Sequence, residues 1–486
     1  MEENQEKVVN KPKKGIRLWV FIVSMIASII VSVGLTIGII WTQLPKLISN
    51  QTQAHAFSKQ ELFQIEKVFY YLKQNYLDKN ITNEQLIQGA LKGMAESVGD
   101  PYTTYLVNDE TAQLDETVNG AFGGIGAELK SDQSRVVIST TMEGSPSQQV
   151  GLQADDVITK VDGEDMTGKT ISEVVKKVRG EVGTDVVLTI ERAGTSLEVK
   201  LTRASIAINT VKAELDKEDA TIGHVRITSF AKNTAQELEK AVKDLTEKGA
   251  KSFVFDVRYN PGGLLDQAYK VANMFLKDGE PIVQVEDRFG EKKIYKASSS
   301  IGEFKITQPY VLLVNEGSAS ASEILAAAIK EGAGGQIIGT KTYGKGTVQS
   351  VVDITDNSEL KYTNAKWLTP KGNWIHKEGV TPTKEVNLPD YAFLKIIDAK
   401  ETLKVGSVSQ NVLSAETILK GLGYSVTVDG YFDEGTKDAV KAYQQKEGLT
   451  VTGEVDEETA QKLMNSVRQL IQENDTQYQA AKELLK

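Results

Sequence analysis

Val311-Leu-Leu-Val314 is an unbroken apolar run that leads through Glu316-Gly-Ser-Ala-Ser-Ala-Ser-Glu323 into a helix-forming stretch, Ile324-Leu-Ala-Ala-Ala-Ile329. A short apolar run that stops at small residues reads as a buried strand, and the residues after the turn favour helix throughout. The segment is therefore a strand, a tight turn and a helix, which commits the surrounding chain to a sheet with helices packed on it. The same order occurs upstream, where Ile222 to Phe230, a helix over Thr234 to Lys248 and the apolar strand Ser252-Phe-Val-Phe-Asp256 give a β-α-β reading. In that helix Thr234 and Glu237 form a capping box, and Leu238, Val242 and Leu245 mark the buried face. An α/β core carries its chemistry at strand ends and helix starts.

Ser320 stands at such a start, where free backbone N–H groups and the helix dipole favour a developing oxyanion. Some two dozen residues later, Tyr343-Gly-Lys345-Gly-Thr-Val-Gln349 offers a lysine whose flanking glycines, Gly344 and Gly346, leave room for burial. A hydroxyl must lose its proton to attack a carbonyl. A lysine can take it only if desolvation or a neighbouring charge keeps the amine neutral near pH 7. Taken singly, Ser and Ala at a helix start are ordinary caps, and a glycine-flanked lysine is an ordinary turn. The two motifs in this order and at this spacing resemble the carboxy-terminal processing proteases, the S41 serine peptidases, which use a Ser-Lys pair.

The resemblance implies that Ser320, the middle serine of the Ser-Ala-Ser-Ala-Ser run, is the nucleophile, that Lys345 is its base, and that Gln349 orients the lysine amine. It extends to Asp256-Val-Arg-Tyr-Asn-Pro-Gly-Gly-Leu-Leu265, whose second glycine, Gly263, is expected to share an oxyanion hole with the N–H of Ala321. Read alone, Asn260-Pro-Gly-Gly263 is a tight turn after a buried strand. Both readings hold together, since a glycine turn lets backbone amides point at a ligand. A His-based triad has only His55, His224 and His376 to draw on. His224 alternates with Val225 and Ile227 and so reads as the solvent side of a strand, and His376 lies in a polar stretch. With no cysteine and no His cluster at ligand spacing, a metal centre lacks its ligands, and no cofactor is expected.

At 486 residues the chain should hold about three domains at roughly 150 residues each. A net charge of -10 argues against nucleic acid as a partner. Leu18 to Trp41 is an almost unbroken apolar run of about the length a bilayer core requires, preceded by Lys11, Lys13, Lys14 and Arg17 and followed soon only by Lys46. The positive-inside rule puts residues 1–17 in the cytoplasm, a transmembrane helix at 18–41, and the rest outside the cell membrane. A cleaved signal peptide is the competing reading, with Ala54-His-Ala56 as its small-residue site. The run is long for a signal peptide's apolar region, and the site lies about a dozen residues beyond it, so an uncleaved anchor is expected.

From 54 to 106 the chain reads as an N-terminal helical region ending at Gly99-Asp-Pro-Tyr-Thr-Thr-Tyr105, and it resembles the same family there. Its Asp-Pro-Tyr is expected to stop a helix pair and to take no part in catalysis. The pair is also a candidate element for a homodimer. Residues 121–204 carry an order of strands, glycine turns and one helix that looks like a PDZ domain, in which a glycine-rich loop offers backbone amides to a peptide's terminal carboxylate. That loop is Phe122, Gly123, Gly124, Ile125 and Gly126, and Arg179 at the end of the helix is the candidate for pairing with a carboxylate or contacting the core. Residues 205–400 are then the protease core. Over 408–468, the repeat of Gly430-Tyr-Phe-Asp-Glu-Gly-Thr436 and Gly453-Glu-Val-Asp-Glu-Glu-Thr459, with Asp433 and Asp456 as helix caps, resembles a peptidoglycan-binding domain. A helical tail, 469–486, completes the chain.

The expected architecture is an α/β protease core with an inserted, mostly β PDZ domain, an N-terminal helical region, a small all-α C-terminal module and one N-terminal transmembrane helix. The expected function is that of a membrane-anchored, extracytoplasmic serine endopeptidase. It would cleave proteins with accessible C-termini near those ends, with the PDZ domain sensing the C-terminus and peptidoglycan as a further partner. A PDZ and wall-binding scaffold with a vestigial active site is the alternative from another class, and a peptidoglycan endopeptidase a third reading.

Overall fold

The structure, a computed structural model, describes residues 58–132 and 135–486. The expected transmembrane helix at 18–41 and the Ala54-His-Ala56 site lie outside the described residues. Among the described residues no helix is long and apolar enough to cross a membrane. The chain forms two compact units, divided at Ala90 and Leu91.

In the first unit, helix Lys59–Asn75 begins at a capping box in which the Ser58 N–H donates to the Glu61 carboxylate at 2.6 Å and the Glu61 N–H donates back to the Ser58 hydroxyl at 3.3 Å. None of its residues is buried, and Leu62, Phe63, Ile65, Val68 and Tyr71 are exposed on it. Asn83, where the next helix starts, comes after a short turn pinned by Lys73 Nζ donating to the Ile81 carbonyl at 2.8 Å.

The second unit is built on a six-stranded sheet, ordered Val211–Leu215, Ile222–Ile227, Ser252–Asp256, Tyr310–Val314, Gln336–Gly339 and Lys384–Glu385. All neighbours run parallel except the first pair. The expected β-α-β unit is present, and Ser252–Asp256 is buried at every residue because both faces of the sheet are covered. One face packs Phe253, Phe255, Leu312 and Val314 against helices Thr234–Glu247, Leu265–Asn273 and Ala321–Ala327. The other packs Val254, Val311, Leu313 and Ile338 against Ala480 and Ala481 of helix Thr476–Leu485. The C-terminal tail is helical as expected, and it packs on the protease core, outside the expected bounds of that core at 205–400. It comes after helix Glu457–Glu473, which runs through the expected boundary at 468.

The capping box expected at Thr234 and Glu237 does not form. Thr234 already lies inside the helix and its hydroxyl bonds that of Thr210 at 2.7 Å, while the Glu237 carboxylate accepts from the Thr210 and Val211 N–H groups at 2.7 and 3.1 Å. The carboxylate thus serves donors some 26 residues upstream, and the helix begins one residue earlier, with Asn233 at its N-cap.

A second sheet stands beside the core around the long strand Ser358–Leu368, which pairs with Thr104–Val107, Pro281–Asp287 and Thr347–Thr355. The PDZ domain has its own core of Ile138, Val174, Leu188 and Ile190 under helix Ile171–Val178. Arg203 closes that helix, donating from Nε to the Val178 carbonyl at 2.9 Å and from Nη2 to that of Lys177 at 3.1 Å, where a cation suits the helix dipole. In the C-terminal module, helices Glu434–Glu447 and Glu457–Glu473 are capped by Asp433 and Asp456, whose side chains accept from Thr436 and Thr459 N–H at 2.7 and 2.9 Å.

Candidate active site

Three serines share the turn after Tyr310–Val314, and packing separates them. Ser318 and Ser322 are fully buried, with hydroxyls donating to the Val257 carbonyl at 2.8 Å and the Asn260 carbonyl at 2.9 Å. Ser320 instead lines a cleft of about 270 Å³ together with Gly263, Ala321, Lys345 and Gln349. It precedes helix Ala321–Ala327 with φ 55° and ψ -111°, a region that costs a non-glycine residue about 1–3 kcal/mol unless its surroundings hold it there.

Glu323 is what holds it. This side chain is fully buried, and its Oε2 accepts the Ser320 N–H at 2.8 Å and the Lys345 N–H at 2.8 Å. Its Oε1 accepts the Gly344 N–H at 2.7 Å and the Thr342 hydroxyl at 2.6 Å. One carboxylate therefore spans the serine turn and the lysine loop. Gly344 is required in that loop: its φ is 93°, and a Cβ there would stand 3.0 Å from the backbone nitrogens of Glu378 and Gly379. The Lys345 carbonyl accepts from Trp367 Nε1 at 2.8 Å, so the lysine backbone is fixed on both sides.

Burial lowers the Lys345 amine from its ordinary value, and Lys361 adds to the effect, while Asp100 and Glu323 work against it. The amine also lies 4.6 Å from the centre of the Tyr102 ring. A cation there gains about 0.5–1 kcal/mol, which opposes loss of the proton. Tyr102 belongs to the Asp-Pro-Tyr segment, which the sequence suggested was only a helix stop. The segment in fact borders the cleft, because Asp100 accepts from Thr103 and Thr363 hydroxyls at 2.6 Å each and so docks onto the second sheet. Gln349 reaches the cleft from the same sheet, but its amide donates to Thr347 and Thr363 hydroxyls at 3.0 Å each. Among the described residues its hydrogen bonds run to these threonines and not to Lys345.

The glycine turn lies against the serine. Gly263 has φ 145° and a Cβ on it would meet the Phe230 carbonyl oxygen at 2.2 Å, so no other residue fits. Asn260, fully buried, secures the turn by accepting the Gly262 N–H on its side chain at 2.8 Å and the Ala319 N–H on its carbonyl at 3.0 Å. Among the described residues the N–H groups of Gly263 and Ala321 donate to no protein acceptor, which leaves two donors for an anionic oxygen. Neither His224 nor His376 supplies a base. His224 is three-quarters covered and packs 4.7 Å from the Tyr478 ring of the C-terminal helix, instead of facing solvent as expected. His376 accepts the Gly346 N–H on Nδ1 at 3.3 Å.

The PDZ groove is a second cleft, of about 340 Å³, lined by Phe122, Gly124, Ile125, Gly126, Val175 and Arg179 among others. The expected loop Phe122 to Gly126 is shorter than anticipated, because Ala121–Gly124 forms a strand paired with Ala204–Ala207. Gly123 faces away from the groove: a Cβ on it would strike the Gly180 carbonyl oxygen at 1.9 Å. Ile125 and Gly126 remain as the free loop, and among the described residues their N–H groups donate to no protein acceptor. Arg179 lies over the Phe122 ring at 4.0 Å and donates to Glu116 at 2.7 Å. Glu116 belongs to helix Asp109–Asn119, whose Leu114, Thr117 and Val118 line the first cleft.

Fold and site together define a serine-type peptidase carrying a PDZ domain. Family models match accordingly: peptidase family S41 over residues 221–386, a PDZ domain over 137–192, a peptidoglycan binding domain over 408–463, and the activating protease CtpB N-terminal domain over 35–111. The carboxy-terminal processing protease CtpA of Bacillus subtilis is 39% identical over 97% of this chain and 99% of that protein. A CtpA-like serine protease of Staphylococcus aureus is 36% identical over 94% of this chain and 91% of its own length. Among solved structures, the photosystem II D1 C-terminal processing protease is 32% identical and covers 67% of this chain and 86% of its own, with a TM-score of 0.39. The chain belongs to the carboxy-terminal processing proteases of peptidase family S41.

Glu323→Gln replaces two acceptor oxygens with one and turns an NH₂ group toward N–H donors. Peptidase kcat should fall about 100-fold with KM nearly constant, as expected when groups are misplaced by a fraction of an ångström. Steady-state kinetics on a peptide substrate checks this, with thermal melting to confirm folding. An unchanged kcat would show that the site does not need the brace.

Proposed function

We propose that this protease cleaves proteins near their C-termini through Ser320 and Lys345, with the substrate's C-terminus sensed by the PDZ groove. The observation that carries the reading is a single cleft lined by Ser320, Lys345 and the residues of two unused N–H groups, Gly263 and Ala321. In the proposed reaction the neutral Lys345 amine takes the proton from Ser320 Oγ as that oxygen attacks the scissile carbonyl. The negative oxygen that forms is held by the Gly263 and Ala321 N–H groups. The lysine proton passes to the leaving amine, the peptide C–N bond breaks, and an acyl-serine remains. Water, deprotonated in turn by Lys345, then attacks the acyl carbonyl; the ester C–O bond breaks as Lys345 returns the proton to Ser320 Oγ, and the new C-terminal carboxyl group leaves. Phe230, Leu264, Leu265, Ile324 and Trp367 give the cleft an apolar wall, so apolar side chains beside the cleaved bond are favoured. Gln349 acts in this scheme through the sheet that it ties to the cleft.

Ser320→Ala and Lys345→Ala should each abolish hydrolysis in a folded protein, and the double variant should be no worse than either, because the two act as one unit. Activity should rise with pH, since the lowered amine gains its neutral form earlier than an ordinary lysine. By the same sign, the native state sheds this proton before the unfolded chain does, so the group's contribution to stability also rises with pH in that window. A rate-limiting chemical step with a flat profile between about pH 5 and about pH 9 would rule Lys345 out as base.

The PDZ domain is proposed to gate the cleft through helix Asp109–Asn119, which meets the catalytic cleft along Leu114, Thr117 and Val118 and grips Arg179 through Glu116. Arg179 and Glu116 remain 39% and 26% exposed, so the ion pair and the stacking on Phe122 are together worth about 1–2 kcal/mol. Competition of a peptide carboxylate for Arg179 can therefore shift the arrangement through this tie by about 5- to 30-fold. A short uncleavable peptide with a free apolar C-terminus should stimulate cleavage of a separate reporter within that limit. Its amide should not, and Glu116→Gln should raise the peptide-free rate. Inhibition at every peptide concentration would refute gating.

The apolar run at 18–41 supports a single-pass anchor with the catalytic part outside the cell membrane, where the C-terminal module would meet peptidoglycan. The uncovered apolar side chains of helix Lys59–Asn75 support a homodimer. Alkaline washing of membranes should leave the full chain in the pellet. Sedimentation of a chain starting near residue 54 should give a dimer that Val68→Glu dissociates, and a monomeric parent would end the dimer proposal.

A further inference from the structure

We propose that Asp475, on the C-terminal helix, is a positioning residue for the turn that carries the Gly263 N–H, and that it acts through Arg258. The inference rests on the proposed role of that N–H. Arg258 lies just beyond strand Ser252–Asp256 and stands five positions before Gly263. Between them Tyr259, a non-glycine residue, is held at φ 57°, and Gly262 and Gly263 take φ values of 100° and 145° that other residues rarely adopt. Such a segment keeps its shape only where both ends are held. Asn260 and the serine turn hold the downstream end, as described above.

The upstream end is held by the guanidinium of Arg258, a residue only 9% exposed. Its Nε donates to both oxygens of Asp256 at 3.0 and 3.1 Å, and its outer edge faces Asp475, with Nη1 to Oδ1 at 2.9 Å and Nη2 to Oδ2 at 2.7 Å. Nη1 also donates to the side-chain oxygen of Gln477 at 3.0 Å. A two-pronged carboxylate fixes both position and plane of a guanidinium, which a single contact cannot do. Burial alone would push the Asp256 carboxyl up, yet His224 and Arg258 hold it well below the ordinary range.

Asp475 is itself immobilised. It caps helix Thr476–Leu485 by accepting the Tyr478 N–H at 2.9 Å, and that helix is bolted down by the Thr476 hydroxyl on the Asn387 carbonyl at 2.7 Å and Gln477 Nε2 on the Val386 carbonyl at 2.9 Å. One residue, Asn474, separates Asp475 from helix Glu457–Glu473 of the C-terminal module. The far end of the chain is thereby wired to the oxyanion turn.

The test uses the full chain. Asn caps helices as well as Asp does, so Asp475→Asn keeps the fold while replacing a two-pronged anion with a neutral group. Hydrolysis of a peptide substrate is compared with binding of a peptide aldehyde, which forms a tetrahedral adduct with an oxyanion, and of the matching alcohol, which does not. Asp475→Asn should lower kcat about tenfold with KM unchanged, a typical cost of a small misplacement. It should weaken the aldehyde by the same factor and leave the alcohol alone. Asp475→Glu should restore most of the loss, and Gln477→Met, which keeps Asp475, should give a smaller effect in the same direction. Wild-type kcat in Asp475→Asn, or parallel loss of aldehyde and alcohol binding, would overturn the inference. If the unmodified protein fails to prefer the aldehyde, or Ser320→Ala stays active, the proposed chemistry itself falls and this inference with it.

Discussion

The site depends on one buried carboxylate with four donors. Glu323 sits where a charge is costly, without a cation in hydrogen-bonding contact, and is stabilised by three backbone N–H groups and one hydroxyl. Hydrogen bonds to a charged group contribute about 1.5–3 kcal/mol each, enough together to offset much of the desolvation. Because the donors come from two segments, the same bonds that satisfy the carboxylate fix the distance between the Ser320 turn and the Lys345 loop. A cation in the same place would serve no such purpose, since backbone N–H groups need an acceptor.

The rest of the core keeps that brace dry and stationary. Helix Ala321–Ala327 is buried at every residue, and the strands beneath it are covered on the far side by the C-terminal helix. A parallel sheet with one bare face would expose Val254, Val311, Leu313 and Ile338 to water, so the tail beyond the wall-binding-like module is a structural necessity. That return of the chain also brings Asp475 to Arg258, which neither segment could have arranged locally.

Local pattern makes much of this legible in the sequence alone. The apolar strands at Val254 and Val311, the helix face of Leu238, Val242 and Leu245, and the aspartate caps at Asp433 and Asp456 depend on neighbours a few residues away, and they form as read. The cleft likewise gathers Ser320, Ala321, Gly263, Lys345 and Gln349 from segments singled out by motif. What escaped detection is long-range. Thr234 and Glu237 fit a capping box, yet distant Thr210 and Val211 take their hydrogen bonds. His224 alternates like a solvent-facing strand residue, and a helix some 250 positions later covers it. Glu323 stood inside the serine motif, but only the fold shows that its partners lie in the lysine loop. Gly123 belongs to a glycine cluster that looks uniform in sequence, and pairing with Ala204–Ala207 turns it away from the groove.

The molecule joins strong local bracing to weak coupling between domains, and the two serve different ends. Within the site, Glu323 and Asn260 are fully buried, each serving several partners, so departures from the arrangement are expensive and rare. Between the PDZ groove and the core, the tie through Arg179 and Glu116 is partly exposed and worth only a small multiple of thermal energy. A site braced that tightly cannot be tuned by small displacements of its own parts, because packed interiors switch between discrete arrangements instead of deforming smoothly. The gating proposed above places regulation at this weaker joint, in helix Asp109–Asn119, and leaves the Ser320 turn as it is. On that proposal a peptide of modest affinity alters access to the cleft while the Glu323 brace keeps the geometry of its centre constant.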